Sequence, residues 1–163
     1  MNLPVGEVIE ENLVLNQIDL TGLISALIDK QFTGYIVNTI EGFAGVEEGV
    51  LIFKKGEIVG SFYEYSNYDI IVFGDAAVQH AFNSLNALKG VFDIISLSIQ
   101  QVDLVSAFND RVKVAIKLKK SELLGLVRKG FTTFFAEKTL GNVIEQHESR
   151  QSILKRLGLS EIG

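Results

Sequence analysis

The sequence predicts an α+β fold, an antiparallel β-meander sheet with helices packed on one face and a helical C-terminal region. Three β-rich stretches follow one another between residues 34 and 65 with only short turns between them, and short connections force neighbouring strands to run antiparallel. Segments with helical periodicity flank these strands, at 20–31 and 75–88. We therefore expect a twisted sheet whose flanking helices cover the same face.

The stretch from Gly49 to Tyr65 is predicted to form the central hairpin of the sheet. Its two arms, Val50–Phe53 and Ile58–Tyr65, are rich in β-branched and aromatic residues. Between them, the Lys-Lys-Gly-Glu sequence at 54–57 predicts a type I turn followed by a left-handed residue. Gly56 suits that last position, because it lacks the Cβ that clashes at positive φ.

Periodicity and capping residues predict three helices around the sheet. Asp19 is the predicted N-cap of the first, because its carboxylate can accept a hydrogen bond from a free N–H of the first turn. Apolar residues then recur at helical spacing over 20–28. Asp75 and Ser98 are the predicted N-caps of the second and third helices, and Gly90 is expected just beyond the end of the second.

Further strands are predicted at 34–40 and 91–97, where β-branched and aromatic residues are frequent. Residues 8–18 alternate imperfectly, so they form either an edge strand or an extended lead-in. At 111–119 basic and apolar residues mostly alternate, which is the period of a half-buried strand. A continued helix is the alternative for that segment, and the strand is the preferred interpretation.

The C-terminal region is predicted to be mostly helical. Ser121 is the predicted N-cap of a short helix, and the last helix is predicted from about Ser149 to Leu157. Gly158 then fits the left-handed position after that helix, with Leu159 packed back on Leu154 as in a Schellman motif.

Composition limits the classes of protein and of site. The chain has 163 residues, no cysteine and a formal net charge of −5. The missing cysteines exclude disulfides, thiolate nucleophiles and cysteine-ligated metals, and they fit a reducing compartment. The acidic balance argues against bulk nucleic-acid binding, which needs a large positive surface. Because neither a signal-peptide pattern nor an apolar run of ~18 residues occurs, we expect a cytoplasmic protein with no transmembrane segment.

Apolar residues make up 47% of the chain and the mean hydropathy is +0.28, which is high for a soluble protein. A full hydrophobic core is one explanation of this excess. An exposed surface for self-association or for a partner is the other, so the sequence leaves a homodimer open.

No motif for catalysis, cofactors or metals is present. The chain contains neither a P-loop nor a dinucleotide-binding glycine pattern. His80 and His147 are far apart and outside any metal-binding spacing, and His80 is expected at the border of a buried stripe with a local hydrogen-bond partner. The acidic pairs at 10–11 and 47–48 are expected to be solvated or to protect a sheet edge. We therefore predict no catalytic, cofactor-binding or metal-binding residue, and no enzyme.

One segment is strongly basic. Between residues 111 and 129 seven basic residues accompany a single acid, Glu122, for a local formal charge of +6. A solvated basic face is one interpretation; a docking surface for an acidic protein, an anionic membrane or nucleic acid is the other. We hypothesise a protein partner, with these candidate docking residues: Arg111, Lys113, Lys117, Lys119, Lys120, Arg128 and Lys129.

A set of landmarks connects this order of elements to a known domain. They are Phe-Thr-Gly-Tyr-Ile at 32–36, the hairpin at 48–60, Gly-Asp-Ala-Ala at 74–77 and Leu-Lys-Gly-Val-Phe-Asp at 88–93. The arrangement resembles the PATAN-type domain, a small α+β interaction module of prokaryotic signalling proteins. One departure is Gly60, where that domain usually has a small residue such as alanine. With the continuation at 101–109, the chain most resembles an uncharacterised archaeal family built on the same core.

The resemblance implies a PATAN-like core at 1–110, followed by a mostly helical C-terminal extension at 111–163 packed on it. It also implies a non-enzymatic protein–protein interaction module with a regulatory or scaffold role and a protein partner. The alternative is a small-ligand-binding protein, or an enzyme, with a pocket between the sheet and the helices.

Overall fold

The structure is a computed structural model, and it describes residues 1–159 apart from the side chain of His147. Internal contacts divide the chain into two compact units, residues 1–131 and 132–163. The first unit contains, in order, β1 (Glu7–Val14), α1 (Leu20–Asp29), β2 (Gly34–Gly42), β3 (Gly45–Lys54), β4 (Glu57–Tyr65), β5 (Ile70–Phe73), α2 (Gly74–Ser84), β6 (Gly90–Ser96), α3 (Ile99–Phe108) and α4 (Lys120–Val127). The second unit contains α5 (Phe134–Arg156).

The strands form one antiparallel sheet in the order β1-β6-β2-β3-β4-β5. The consecutive strands β2, β3 and β4 are neighbours joined by short turns, as the meander prediction requires. β6 returns after α2 and pairs with the free edge of β2, and β1 then pairs with β6. The predicted α+β fold with an antiparallel sheet is therefore confirmed.

Both faces of the sheet carry a helix. On one face, which we call the α2 face, the side chains of Asn38 in β2 and Tyr65 in β4 hydrogen-bond to residues of α2. On the opposite α3 face, Val50 and its neighbours pack against Val102 and Val105 of α3. Residues that alternate along one strand thus contribute to two different layers. The sequence predicted helices on one face of the sheet, and α3 covers the other face as well.

The hairpin between β3 and β4 turns over two residues, Lys55 and Gly56, with φ values of 50° and 81°. Positive φ at both positions is the pattern of a type I′ turn, whose twist matches that of the flanking strands. The predicted left-handed Gly56 is confirmed, but the predicted type I turn before it is wrong. A Cβ at Gly56 would lie 2.6 Å from the carbonyl oxygen of Ile28 in α1, so this turn packs tightly against the helix.

Two of the predicted helix caps are confirmed. The Asp19 carboxylate accepts a hydrogen bond from the Gly22 N–H at 3.0 Å at the start of α1. At the start of α3, the Ser98 hydroxyl accepts from the Gln101 N–H at 3.1 Å, and the Gln101 side chain accepts from the Ser98 N–H at 2.9 Å. This reciprocal pair is a capping box, which satisfies two backbone donors at once.

Three other boundary predictions are wrong. α2 begins at Gly74, so Asp75 lies inside its first turn rather than at the N-cap. α2 also ends at Ser84, and Gly90 starts β6 instead of following a helix. α4 begins at Lys120, so its N-cap is Lys119 and the predicted cap Ser121 lies inside the first turn. The Lys119 N–H donates to the Glu122 carboxylate.

The edges of the sheet are irregular or short. β1 is an edge strand, the first of the two alternatives predicted for the N-terminal residues, and nearly all of it is exposed. Its pairing with β6 shifts register twice, and it contains three glutamates. β5 at the other edge has only four residues. Bulges, charges and short edge strands all hinder pairing with another sheet, so a dimer formed by sheet extension is disfavoured.

The second unit is dominated by α5, which starts 15 residues earlier than the predicted last helix. Its C-terminal end is as predicted: Gly158 has φ 69°, and the Leu159 N–H donates to the Leu154 carbonyl at 2.9 Å. That contact is the Schellman hydrogen bond. Within residues 1–159, no helix combines the length and the apolar character needed to cross a membrane.

Candidate functional site

The basic segment runs alongside the outer edge of β4. Lys113 forms an isolated antiparallel bridge with Gly60, and the Val114 N–H donates to the Val59 carbonyl at 3.1 Å. Beyond Val114 the chain leaves β4 and follows no regular element until α4. The preferred prediction of a strand over 111–119 is therefore wrong, and so is the helix alternative. Asp110–Val112 form a single 3-10 turn, and residues 113–119, which we call the strap, are irregular with one point of sheet pairing.

Asp75 fixes this strap from α2. Its carboxylate oxygen Oδ1 accepts hydrogen bonds from the backbone N–H groups of Ala115 at 2.8 Å and Ile116 at 3.1 Å. Gly74 allows the close approach, because a Cβ there would lie 2.9 Å from the Lys113 carbonyl oxygen. A carboxylate that binds two backbone donors satisfies groups that no strand partner reaches.

Four of the seven candidate docking residues are already engaged by nearby groups. Lys113 pairs with Asp110 at 2.5 Å, Lys117 with Glu57 at 3.5 Å and Lys120 with Asp29 at 2.7 Å. The Arg111 guanidinium lies 4.0 Å from the centre of the Phe73 ring. The other three, Lys119, Arg128 and Lys129, are exposed. Exposed pairs of this kind are weak and exchange readily with a partner's charges.

The strap, the start of β4 and α4 enclose a cleft of about 280 Å³. We call it the β4–α4 cleft. Its polar lining residues are Glu57, Lys117 and Lys119. The rest of the lining is apolar: Ile58, Val59, Val114, Ile116, Leu118 and Leu123. The cleft places three of the sequence-predicted elements, the hairpin, the basic segment and the short helix, around one space.

A separate apolar surface lies on the outer side of α3. Leu104 and Phe108, one helical turn apart, are 52% and 87% exposed. With the N-terminal segment they line a depression of about 430 Å³. We call this the α3 surface; its apolar lining residues are Met1, Leu3, Pro4, Leu104, Val105 and Phe108. The neighbouring Asp103 is paired with Lys54 at 2.6 Å, so the local charge is balanced.

A buried polar cluster lies between the sheet and α2. The Tyr63 hydroxyl donates to Glu47 Oε2 at 2.5 Å, and the Phe43 N–H donates to Glu47 Oε1 at 2.9 Å. The Tyr65 hydroxyl and His80 Nδ1 are 2.7 Å apart. Glu47 is only 3% exposed, so the predicted solvated role for this acid is wrong. His80 is buried, so its predicted position at the border of a buried stripe is wrong, and the Tyr65 hydroxyl that it contacts lies on β4.

Glycines make room for this cluster, and they are the signal that the sequence offered. A Cβ at Gly42 would lie 2.1 Å from Glu47 Oε1, and one at Gly49 would lie 2.8 Å from Asn38 Oδ1. Asn38 donates a hydrogen bond to Ser84 of α2, while its Oδ1 has no protein partner. Because the polar side chains bind each other, the cluster serves as a structural link between sheet and helix.

Burial shapes the titration of the cluster. It lowers the pKa of His80 to about 4, because the charged imidazolium would lose its water. Burial also raises the pKa of Tyr63, and the adjacent Glu47 adds to the rise. On the α3 face, burial raises the pKa of Glu48, with Glu64 adding repulsion. His80 is therefore neutral and Tyr63 protonated at neutral pH.

Within the described residues, no three His, Asp or Glu side chains lie close enough together to hold a metal ion. The side chain of His147, the second histidine of the sequence, lies outside the described part of the chain.

Comparison with known protein families places most of the chain in a family. A family model described as an uncharacterized protein conserved in archaea, DUF2226, matches residues 1–109. No curated protein and no solved structure is significantly similar to the chain. The match covers two thirds of the chain and agrees with the predicted uncharacterised archaeal family. The chain belongs to DUF2226, a protein family conserved in archaea.

Proposed function

We propose that the chain is a non-enzymatic protein-interaction module with a regulatory or scaffold role, built on a PATAN-like core. One observation carries the proposal: Phe108 is 87% exposed and Leu104, one turn earlier, is 52% exposed. Single exposed apolar residues are common, but a contiguous group beside a depression is typical of a binding surface. The order helix, meander, helix, strand in the first unit supports the PATAN-like core.

The partner is a protein that covers the α3 surface with apolar side chains. Asp103 is paired with Lys54 and both side chains are partly exposed, so this ion pair belongs to the solvated polar rim around the apolar centre of the surface. Aromatic residues such as Phe108 are frequent anchors in interfaces, where they contribute much of the binding energy. A cytoplasmic location is part of the proposal and rests on the absence of cysteine.

Replacing Leu104 and Phe108 together by serine is expected to reduce partner capture roughly tenfold or more, the loss expected when interface anchors are truncated. The tagged protein is incubated with extract of its native organism, and the retained proteins are quantified by mass spectrometry. Both side chains are exposed, so the thermal midpoint should change little. Leu88→Ser is the matched control, because Leu88 is 82% exposed and lies outside this surface.

Equal capture by the double variant and the wild type would contradict the proposed surface. Sedimentation of the purified protein shows whether the partner is a second copy of the chain. If the molecular mass of the wild type rises to that of a dimer as the concentration increases, and the double variant stays monomeric, the partner is a second copy. A chain that stays monomeric requires a different protein.

The basic residues are proposed to assist this docking through long-range attraction of an acidic partner. Reversing Lys117, Lys119 and Lys120 to glutamate is expected to abolish capture, most clearly at low salt, since salt screens exposed charges. The measurement is the same capture assay at two salt concentrations. Unchanged capture would show that the basic residues do not contribute to docking, and the α3 surface would then be the whole proposed interface.

A further inference from the structure

The β4–α4 cleft combines an apolar interior with one available cation. Six of its nine lining residues are apolar. Glu57, its acidic lining residue, faces Lys117 at 3.5 Å. Among the described residues, no carboxylate forms an ion pair with the Lys119 ammonium. A ligand that fits all of these groups has an apolar body and a single negative charge.

We propose that this cleft binds a small amphipathic carboxylate, with its hydrocarbon body against the apolar wall and its carboxylate at Lys119. The site is independent of the α3 surface, since the two share no lining residue. Its volume of about 280 Å³ sets the size of the ligand. An apolar cavity of about 150 Å³ holds benzene, so this cleft suits a body of roughly ten non-hydrogen atoms.

The charges of the lining select an anion over a cation or a neutral molecule. Two lysines and one glutamate line the cleft, so an ammonium ligand would meet net repulsion. A neutral hydrocarbon would gain the same apolar contacts but would leave Lys119 without a partner. A carboxylate gains both, because a charge-assisted hydrogen bond is stronger than a neutral one.

The wall of the cleft is held in place before any ligand arrives. Asp75 binds the backbone of Ala115 and Ile116, and Val114 is hydrogen-bonded to Val59 of β4. Leu123 of α4, which also lines the cleft, is buried. A fixed wall reduces the ordering cost of binding, so a small ligand can bind without a large rearrangement.

Octanoate is the probe, and binding to the full chain is measured by titration calorimetry and by methyl chemical shifts of the cleft residues. Octylammonium has the same body with the opposite charge, octanol is neutral, and acetate has the charge without the body. We expect saturable binding of octanoate, with shifts at Val59, Val114 and Leu123, and weaker binding of all three controls. Octylammonium binding as tight as octanoate would overturn the proposal.

Two variants test where the carboxylate and the hydrocarbon chain of octanoate bind. Lys119→Gln is expected to weaken octanoate binding about fivefold, the scale of one exposed ion pair, while Lys129→Gln should leave it unchanged. Ile116→Asp places a carboxylate in the wall, and it should abolish octanoate binding. Ile116 is 48% exposed, so the fold should tolerate the change. Octanoate binding that neither Lys119→Gln nor Ile116→Asp alters would place the ligand elsewhere and refute the site.

Discussion

Replacing Gly56 by valine is expected to destabilise the protein by at least ~3 kcal/mol, for two reasons that act together. The first is conformational: Gly56 has φ 81°, and a β-branched residue tolerates positive φ poorly. The second is steric: a Cβ there would lie 2.6 Å from the Ile28 carbonyl oxygen. That oxygen belongs to the backbone of α1, so it cannot move aside without shifting the helix.

Gly130→Val separates the two costs. Gly130 has almost the same φ, 78°, but a Cβ there would meet no atom within 4 Å. The control should therefore show only the conformational cost, about 1–2 kcal/mol. Urea unfolding of both variants gives the comparison. Equal losses of stability would show that the close contact between the hairpin turn and α1 contributes nothing, and wild-type stability of Gly56→Val would contradict the left-handed turn itself.

Acidification from pH 7.5 to 5 is expected to cost about 2 kcal/mol of folding stability through His80 alone. The pKa of His80 is lowered by burial to about 4 in the folded protein, against ~6.5 in an unfolded chain. Between these two values the unfolded state binds a proton that the folded state does not. The stability is therefore fully present above pH 6.5 and is lost progressively as the pH falls towards 4.

His80→Gln is the matched variant, because glutamine can still hydrogen-bond to the Tyr65 hydroxyl but does not titrate. The variant is less stable than the wild type at pH 7.5, and the gap should narrow by about 2 kcal/mol at pH 5. Glu48, whose pKa is raised, changes stability with pH in the opposite direction, but it does so in both proteins and cancels. A gap that is constant with pH would show that His80 keeps an ordinary pKa in the fold.

The sheet and the capped helices were predictable because their signals are local. Alternating apolar residues and the glycine at 56 fix the hairpin within one stretch of chain, and Asp19 and Ser98 cap helices through neighbours three residues away. The Schellman end of α5 is equally local. Interactions of this kind join residues that are close in the chain, so they can be predicted from the residue types and their spacing.

The candidate sites depend on contacts between distant residues, and the sequence did not reveal them. The sequence predicts that Asp75 caps its own helix, but its carboxylate binds the strap backbone 40 residues later in the chain. Which groups the Asp75 carboxylate binds depends on where the strap passes in the folded protein. Neighbouring residues of a strand point to opposite faces, and Glu47 and Glu48 of β3 pair with Tyr65 and Glu64 of β4. The sequence could not show which face α2 would cover, and so which acid would be buried.

The exposed apolar surface was predicted only as one explanation of the high apolar content. Apolar residues are spread around α3 with weak helical periodicity, so the sequence does not show which of them face the sheet and which face solvent. The structure places Val102 and Val105 against the sheet and leaves Leu104 and Phe108 outside. A helix with apolar residues on two faces has one face to offer to a partner.

Photocrosslinking from position 108 tests the proposed interaction surface most directly. Benzoylphenylalanine replaces Phe108, and the protein is irradiated in extract of its native organism; the same residue at position 88 is the control. We predict a discrete adduct from position 108, either with a second copy of the chain or with one other protein, and none from position 88. The absence of an adduct at 108, or the same adducts from both positions, would contradict the claim that the α3 surface binds a protein partner.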